Sequence, residues 1–301
     1  MGTGKRIKKT AIMLLLTVVL LTGSTGLCRA EVQQSDLIEA AFTMLEEGNP
    51  FTKRYEEITG RTIEPLFPQG VPYYFGGVSG TMGNSWFYLS YPYYHIHECD
   101  QKSNYFQLGK SYFYGLDCSG FIKYVYRTCK KKDPPSLTDI LIVWEYRSRH
   151  VYDYREGFEA PPFDQLKDTL EVGDLLVIKH ELSNTRHVMM YIGTLKDFGY
   201  TAEEEPELAG WLDYPLVIHC GMSPFYGERF QKLIDENPER YGKATTTDGG
   251  VAVSIIGVEP DQAPEHGHVQ NADYDWFTMN DGGYMLSVVN MEDVKYYAWY
   301  R

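Results

Sequence analysis

The first amphipathic pattern lies near the start of the chain, where apolar residues recur at helical spacing. In the stretch SDLIEAAFTMLEE, residues 35–47, Ser35 stands at a capping position and Gly-Asn-Pro follows the last turn. A polar cap, a 3.6-residue apolar period and such a stop predict a helix. Its apolar positions are Leu37, Ala41, Met44 and Leu45. With a second short helix predicted at 51–59, residues 31–70 are expected to form an N-terminal helical segment.

A later helical pattern covers residues 119–129. Asp117 stands where an N-cap belongs, and three lysines followed by Asp-Pro-Pro end the run. Acceptors before the first turn and cations after the last one favour a helix. The apolar face contains Phe121, Ile122, Val125 and Cys129.

From residue 171 the apolar period changes to two, which is typical of strands. RHVMMYIG places His187, Met189 and Tyr191 on one face and Val188, Met190 and Ile192 on the other. Strands are also predicted in EVGDLLVIKH, PLVIHCG, GVAVSIIGV, YMLSVVN and VKYYAWYR. Because helices come first and strands later, we predict an α+β fold with a mostly antiparallel sheet.

The first 30 residues have the pattern of a secretory signal peptide. Four basic residues precede the apolar run Ala11–Leu21, which is too short for a comfortable membrane span. Cys28 and Ala30 occupy the −3 and −1 positions of a cleavage site, so we predict cleavage after Ala30 and a secreted, envelope-associated protein. An uncleaved N-terminal anchor is the alternative, whereas the large Leu27 disfavours lipidation of Cys28.

Charge and cysteine content narrow the class of protein. The chain of 301 residues has a net charge of −13, and loss of five Lys/Arg with the leader leaves −18. Such a chain repels polyphosphates, so we expect no nucleic-acid partner. The four remaining cysteines could form two disulfides, but they are too sparse for a disulfide scaffold.

The stretch His95-Ile-His97-Glu-Cys99 raises the question of a metal ion. Alternating residues of a strand could meet one ion, yet no second group of ligands with matching spacing follows. A polar loop is the preferred interpretation, and we expect no metal and no cofactor.

Cys118, in LDCSGFIKYVY, is the candidate nucleophile. A cysteine at a helix N-terminus can have a lowered pKa, because unpaired N–H groups stabilise the thiolate. Gly120 keeps the first turn open to a substrate. The alternative is a small core residue, a description that fits Cys129 better.

Two histidines are candidate partners for this thiol. His187 begins one predicted strand and His219 ends another. If these strands pair antiparallel, the two imidazoles can lie close together, one as base and one as its orienting group. Taken alone, each histidine could equally be an ordinary structural residue.

The motifs LDCSGFIKYVY, EVGDLLVI, RHVMMYIG and VIHCG, in this order, resemble NlpC-type cell-wall cysteine peptidases of the papain-like superfamily. Upstream, PYYFGG resembles that family's Pro-Tyr-x-Trp-Gly-Gly element, with Phe75 in place of tryptophan. The resemblance implies a papain-like catalytic domain at 71–301, with insertions near 78–112 and 195–214.

The resemblance also implies roles for individual residues. Cys118 matches the nucleophile, His187 the base and His219 the orienting residue. Tyr73 matches the active-site tyrosine, and Asp117 and Ser119 match residues that bind the substrate's free amine in some members. The implied substrates are peptidoglycan stem peptides, often cut between D-glutamate and the diamino acid.

Two spacings depart from the family pattern. About forty residues separate the Gly-Gly element from Cys118, and 31 separate His187 from His219. Both gaps are longer than usual, which suggests a remodelled cleft. Three alternatives stay open: a thiol amidase or acyltransferase, a non-catalytic wall-binding module, and a disulfide-linked structural protein. We expect a monomer without a stable membrane span.

Overall fold

The computed structural model describes residues 34–301 with several internal gaps. The gaps are 78–92, 101–105, 130–149, 156–160, 181–185, 222, 224, 258–265, 269–273 and 292–293. The predicted leader therefore lies outside the described residues. Within the described part of the chain, no helix has the length and apolar character needed to cross a membrane.

Six α-helices are found in the described residues: α1 (34–42), α2 (Pro50–Thr59), α3 (Cys118–Thr128), α4 (Phe163–Leu166), α5 (Tyr226–Glu236) and α6 (Pro238–Tyr241). Helix α1 is shorter than the predicted 35–47. After it, the chain turns so that the N–H of Leu66 can bond to the carbonyl of Thr43, and the N–H of Val71 to that of Met44. These long-range bonds replace the last predicted turn of the helix.

Twelve strands are found in the same residues: β1 (Ile96–Glu98), β2 (Ser111–Phe113), β3 (His150–Arg155), β4 (Leu175–His180), β5 (Arg186–Thr194), β6 (Pro215–Gly221), β7 (Ala244–Thr245), β8 (Gly250–Gly257), β9 (His266–His268), β10 (Tyr274–Thr278), β11 (Met285–Asn290) and β12 (Val294–Tyr300). Nine of them form one sheet in the order β3-β12-β4-β5-β6-β8-β11-β10-β9. Neighbours are antiparallel except β8 and β11, which are parallel. The mixed helices and sheets confirm the α+β class.

The two faces of the large sheet bury different clusters. On β5, Val188, Met190 and Ile192 pack with α1, α2 and α3, whereas Met189 and Tyr191 pack with α4 and β12. This is the alternation that the period of two predicts. The sheet is therefore covered on both sides, and α3 lies against β5 and β6.

The segment expected to be a surface insertion, 78–112, is partly built into the fold. It contributes β1 and most of β2 to a small sheet of order β1-β2-β7. Cys99 and Phe106 are buried in an aromatic cluster with Tyr74 and Tyr112. The sequence shows no periodicity here because these strands are only three residues long.

Candidate active site

Cys118 is the first residue of α3, and the preceding residue caps the helix. Asp117 has an extended backbone, with φ −88° and ψ 178°, and its Oδ1 accepts the N–H of Gly120 at 2.7 Å. The hydroxyl of Ser119 donates to the same oxygen at 2.7 Å. The predicted N-cap is therefore present, and both Asp117 and Ser119 take part in it.

The PYYFGG element lies against the loop that leads into Cys118. The N–H of Leu116 donates to the carbonyl of Pro72 at 3.1 Å, and the N–H of Asp117 donates to that of Gly77 at 2.8 Å. A Cβ at Gly115 would stand 1.7 Å from the carbonyl oxygen of Pro72, so only glycine allows this approach. Two segments about forty residues apart thus fix the start of α3 together.

Tyr73 lies in the same element and pairs in parallel fashion with Leu116, two residues before Cys118. Its N–H donates to the carbonyl of Gly249 at 2.9 Å. Its ring is partly buried and lies 6.0 Å from that of Phe106, against the buried aromatic cluster. The structure therefore places Tyr73 beside the loop that leads into Cys118, on the side of the small sheet.

Cys118 is half-buried, and its surroundings disfavour the thiolate in two ways. Burial, followed by the Asp117 carboxylate, raises the pKa of Cys118 to about 12. The backbone N–H groups of Val188, Ser119 and Cys118 itself oppose this shift without overcoming it. The expectation of a lowered pKa is therefore wrong: at rest the thiol is neutral, because desolvation exceeds the help of the helix end.

The two histidines form a directly bonded pair. Strands β5 and β6 are antiparallel, and Nε2 of His187 lies 3.0 Å from Nδ1 of His219, with the rings edge to face. Nε2 of His219 lies 2.8 Å from the hydroxyl of Ser254. His219 is fully buried, and burial lowers its pKa to about 3, so its ring is neutral at physiological pH.

Gly221, two residues after His219, makes room for this pair. A Cβ at this position would lie 2.8 Å from Cε1 of His187 and 3.0 Å from Nδ1 of His219. Contacts this short force a shift of either ring. The glycine therefore helps to define the separation of the two imidazoles.

The thiol and the histidine pair meet at β5. The N–H of Val188 bonds to the sulfur of Cys118, and His187 is the preceding residue. Since Nε2 of His187 faces His219, any proton exchange between this ring and the thiol would use Nδ1. The fold thus pairs His187 with His219 and brings Val188, the residue after His187, against Cys118.

Sequence reasoning missed three residues of this site: Gly221, Ser254 and Ser287. The hydroxyls of Ser254 and Ser287 are 2.5 Å apart and buried. Each serine is a polar residue flanked on both sides by apolar residues, within GVAVSIIGV or YMLSVVN. A lone hydroxyl in a buried strand is a usable signal, because burial requires a hydrogen-bond partner.

The His95–Cys99 stretch makes no metal site in the described residues, where no group of three or more His, Cys, Asp and Glu side chains is placed to hold an ion. Nδ1 of His97 lies 2.9 Å from the hydroxyl of Tyr74. The histidine therefore belongs to the aromatic cluster beside Tyr73.

These features define an α+β protein with a cysteine at a helix start and a bonded histidine pair on the adjoining sheet. The family model described as NlpC/P60 family matches residues 70–204, which confirms the resemblance drawn from the motifs over that segment. The match includes Cys118 and His187 and ends before His219. Members of this family are generally cysteine peptidases. No curated protein and no solved structure gives a significant match to the chain.

Proposed function

We propose that the protein is an exported cysteine peptidase that hydrolyses an amide bond in peptidoglycan stem peptides. The observation that carries this proposal is the hydrogen bond between Nε2 of His187 and Nδ1 of His219, next to the strand residue that binds the Cys118 sulfur. A base with a fixed orienting partner and a nearby thiol are the parts that nucleophilic amide cleavage needs.

The first step creates the thiolate. Because the Cys118 thiol is neutral at rest, its proton passes to Nδ1 of His187 as the sulfur attacks the amide carbonyl. The resulting imidazolium is stabilised through its Nε2–H by the lone pair on Nδ1 of His219. The N–H of Cys118, at the open end of α3, donates to the developing oxyanion, and the Tyr73 hydroxyl is a second candidate donor.

The second step releases the products. His187 gives its proton to the leaving amine, which breaks the C–N bond and leaves the acyl group on the sulfur. His187 then takes a proton from water, whose oxygen attacks the thioester and frees the carboxylic acid and the thiol. His219 stays neutral throughout and fixes the ring of its partner.

The preferred bond lies between D-glutamate and the diamino acid, as the family resemblance suggests. Asp117 and Ser119 would then bind the free amine of the stem peptide. Their oxygens already serve the helix cap, so an incoming ammonium would have to share Asp117 with the bonds from Ser119 and Gly120. Such an ammonium would also offset the carboxylate charge that opposes thiolate formation.

The test is incubation of the chain with purified stem peptides and identification of the products by mass spectrometry. Hydrolysis should disappear in Cys118→Ala and persist in Cys129→Ala, a matched loss of one thiol from the same helix region. Products joined to an added amine rather than to water would indicate an acyltransferase instead. Peptide binding without any product would indicate a wall-binding module.

The disulfide alternative is disfavoured by the structure, in which Cys118 carries a free thiol. Export is tested separately. Protein recovered from the medium or envelope should begin near Glu31, and N-terminal sequencing that returns the basic leader would contradict cleavage.

A further inference from the structure

A row of buried hydrogen bonds continues from the histidine pair across four strands. It runs from Nε2 of His187 to Nδ1 of His219 at 3.0 Å, then from Nε2 of His219 to Ser254 at 2.8 Å. The last link joins the hydroxyls of Ser254 and Ser287 at 2.5 Å. Ser254 is 0% and Ser287 2% exposed, so water does not replace these links.

The register of the sheet explains this row. Ser254 on β8 is directly opposite Ser287 on β11 in a parallel pair and opposite Val217 on β6 in an antiparallel pair. Strand neighbours of both serines, such as Val253 and Val288, belong to the cluster under α3. By alternation, the serines and His219 share the other face of the sheet.

The hydrogen bonds of this row can all point in either of two directions, depending on which atom donates in each. The neutral ring of His219 has one N–H, so one nitrogen donates and the other accepts. In the first arrangement, His187 donates to Nδ1 of His219, Nε2–H of His219 donates to Ser254, and Ser254 donates to Ser287. In the second arrangement every donor and acceptor is exchanged.

Only the first arrangement suits a base at His187. An imidazolium has an N–H on both nitrogens, so Nε2 of His187 must donate and Nδ1 of His219 must accept. In the second arrangement, Nε2 of neutral His187 accepts and Nδ1 carries the proton. That nitrogen then has no lone pair with which to take the thiol proton.

We propose that Ser254 and Ser287 are positioning residues that hold His219 in the tautomer with its proton on Nε2, and so keep Nδ1 of His187 basic. Ser254 has one hydroxyl proton. When the Ser254 hydroxyl donates its hydrogen bond to Ser287, it presents its lone pairs to His219 and cannot donate to the ring. This inference deepens the proposed function and rests on it.

The first experiment reads the tautomer directly and needs no turnover. Nitrogen-15 NMR of histidine-labelled protein distinguishes a ring nitrogen that carries a proton from one that does not. We expect His219 in the wild-type chain to carry its proton on Nε2. Ser254→Ala should remove this preference, and Ser287→Ala should shift the ring toward the Nδ1–H form. A wild-type ring protonated on Nδ1 would overturn the inference.

The second experiment measures stem-peptide hydrolysis. Because the serines contact His219 and each other rather than the substrate, KM should be nearly unchanged in both alanine variants. The value of kcat should fall about tenfold in Ser254→Ala and severalfold in Ser287→Ala. Ser287→Thr keeps the hydroxyl and should recover most of the rate. Val288→Ala, next to Ser287 but on the other face, is the control: it should lower Tm and leave the tautomer unchanged.

The outcomes separate the two proposals. A chain that cleaves no peptide but shows the Nε2–H tautomer and its loss in Ser254→Ala contradicts the function and keeps the positioning role. Unchanged kcat and tautomer in both alanine variants contradict the positioning role alone. If Ser254→Ala does not fold, Ser254→Thr and Ser287→Ala decide the matter.

Discussion

The thiol half and the histidine half of the site are built in opposite ways. Around Cys118, the capping contacts join residues two or three positions apart, from Asp117 to Ser119 and Gly120. Around His187, the contacts join residues 32 to 35 positions apart. The first half depends on local conformation and the second on the register of a sheet, so they should differ in what disturbs them.

Burial has the same consequence in both halves. It raises the pKa of Cys118 to about 12 and lowers that of His219 to about 3, and in each case the neutral form is favoured. A low-polarity surrounding disfavours any charge that is not paired. Cys118 and His219 are therefore both neutral in the site without substrate. The thiolate and the imidazolium needed for attack must form when substrate is present.

The largest effect is expected from the histidine half. His187→Ala should abolish measurable turnover, since general acid–base catalysis contributes on the order of 10²–10⁴ in rate and this residue supplies both steps. His219→Ala should be damaging but milder, and His219→Gln or His219→Asn should recover part of the loss. Turnover on a stem peptide, with folding checked by circular dichroism, compares these variants. Wild-type turnover in a folded His219→Ala would remove His219 from the site.

A backbone position should come next. Gly221→Ala places a methyl group against both rings, and we expect turnover to fall by up to about 100-fold, because small displacements of reacting groups are costly. Gly210→Ala is the matched control, since a Cβ there meets no atom within 4 Å. Equal activity of the two variants would show that the ring positions tolerate displacement.

The free energy of unfolding at acid pH should depend on the buried imidazole of His219. The pKa of His219 is about 3 in the folded chain and near 6.5 when unfolded, so between these values the unfolded state binds more protons. Stability should therefore be lost as pH falls through this window, with a slope from this residue of up to ~1.4 kcal/mol per pH unit. Urea unfolding of wild type and His219→Gln at several pH values measures the difference. If the free energy of unfolding depended on pH in the same way in both proteins, a buried neutral ring at His219 would be contradicted.

The smallest effect concerns the thiol half. Asp117→Asn keeps a capping side chain and removes the carboxylate that raises the pKa of Cys118. Alkylation of Cys118 by iodoacetamide at a fixed pH should then accelerate about fivefold, which is ~1 kcal/mol of like-charge repulsion. Peptide mapping after brief labelling gives the rate, with Asp164→Asn as a remote charge control. An unchanged rate would assign the high pKa to burial alone.

Part of the molecule was predictable from local pattern. The cap at Asp117, the helix from Cys118 and the alternation along β5 follow from adjacent residues, because caps and side-chain direction depend on a few positions. The pairing of His187 with His219 was a conditional prediction. It required β5 and β6 to be neighbours, which the structure confirms.

The rest was decided by tertiary structure. Phe106 is buried although it lies in a loop between two short strands, where no periodic pattern predicts burial. The docking of Pro72 on Leu116 depends on a contact across about forty residues. The raised pKa of Cys118 was not predicted because the sequence shows the helix end but not the atoms that pack around the thiol. Sequence by itself thus determined which side chains could react and how each is held locally. Burial and strand register arise only when distant segments pack. Burial decided the protonation of these side chains, and strand register placed Ser254 and Ser287 in line with His219.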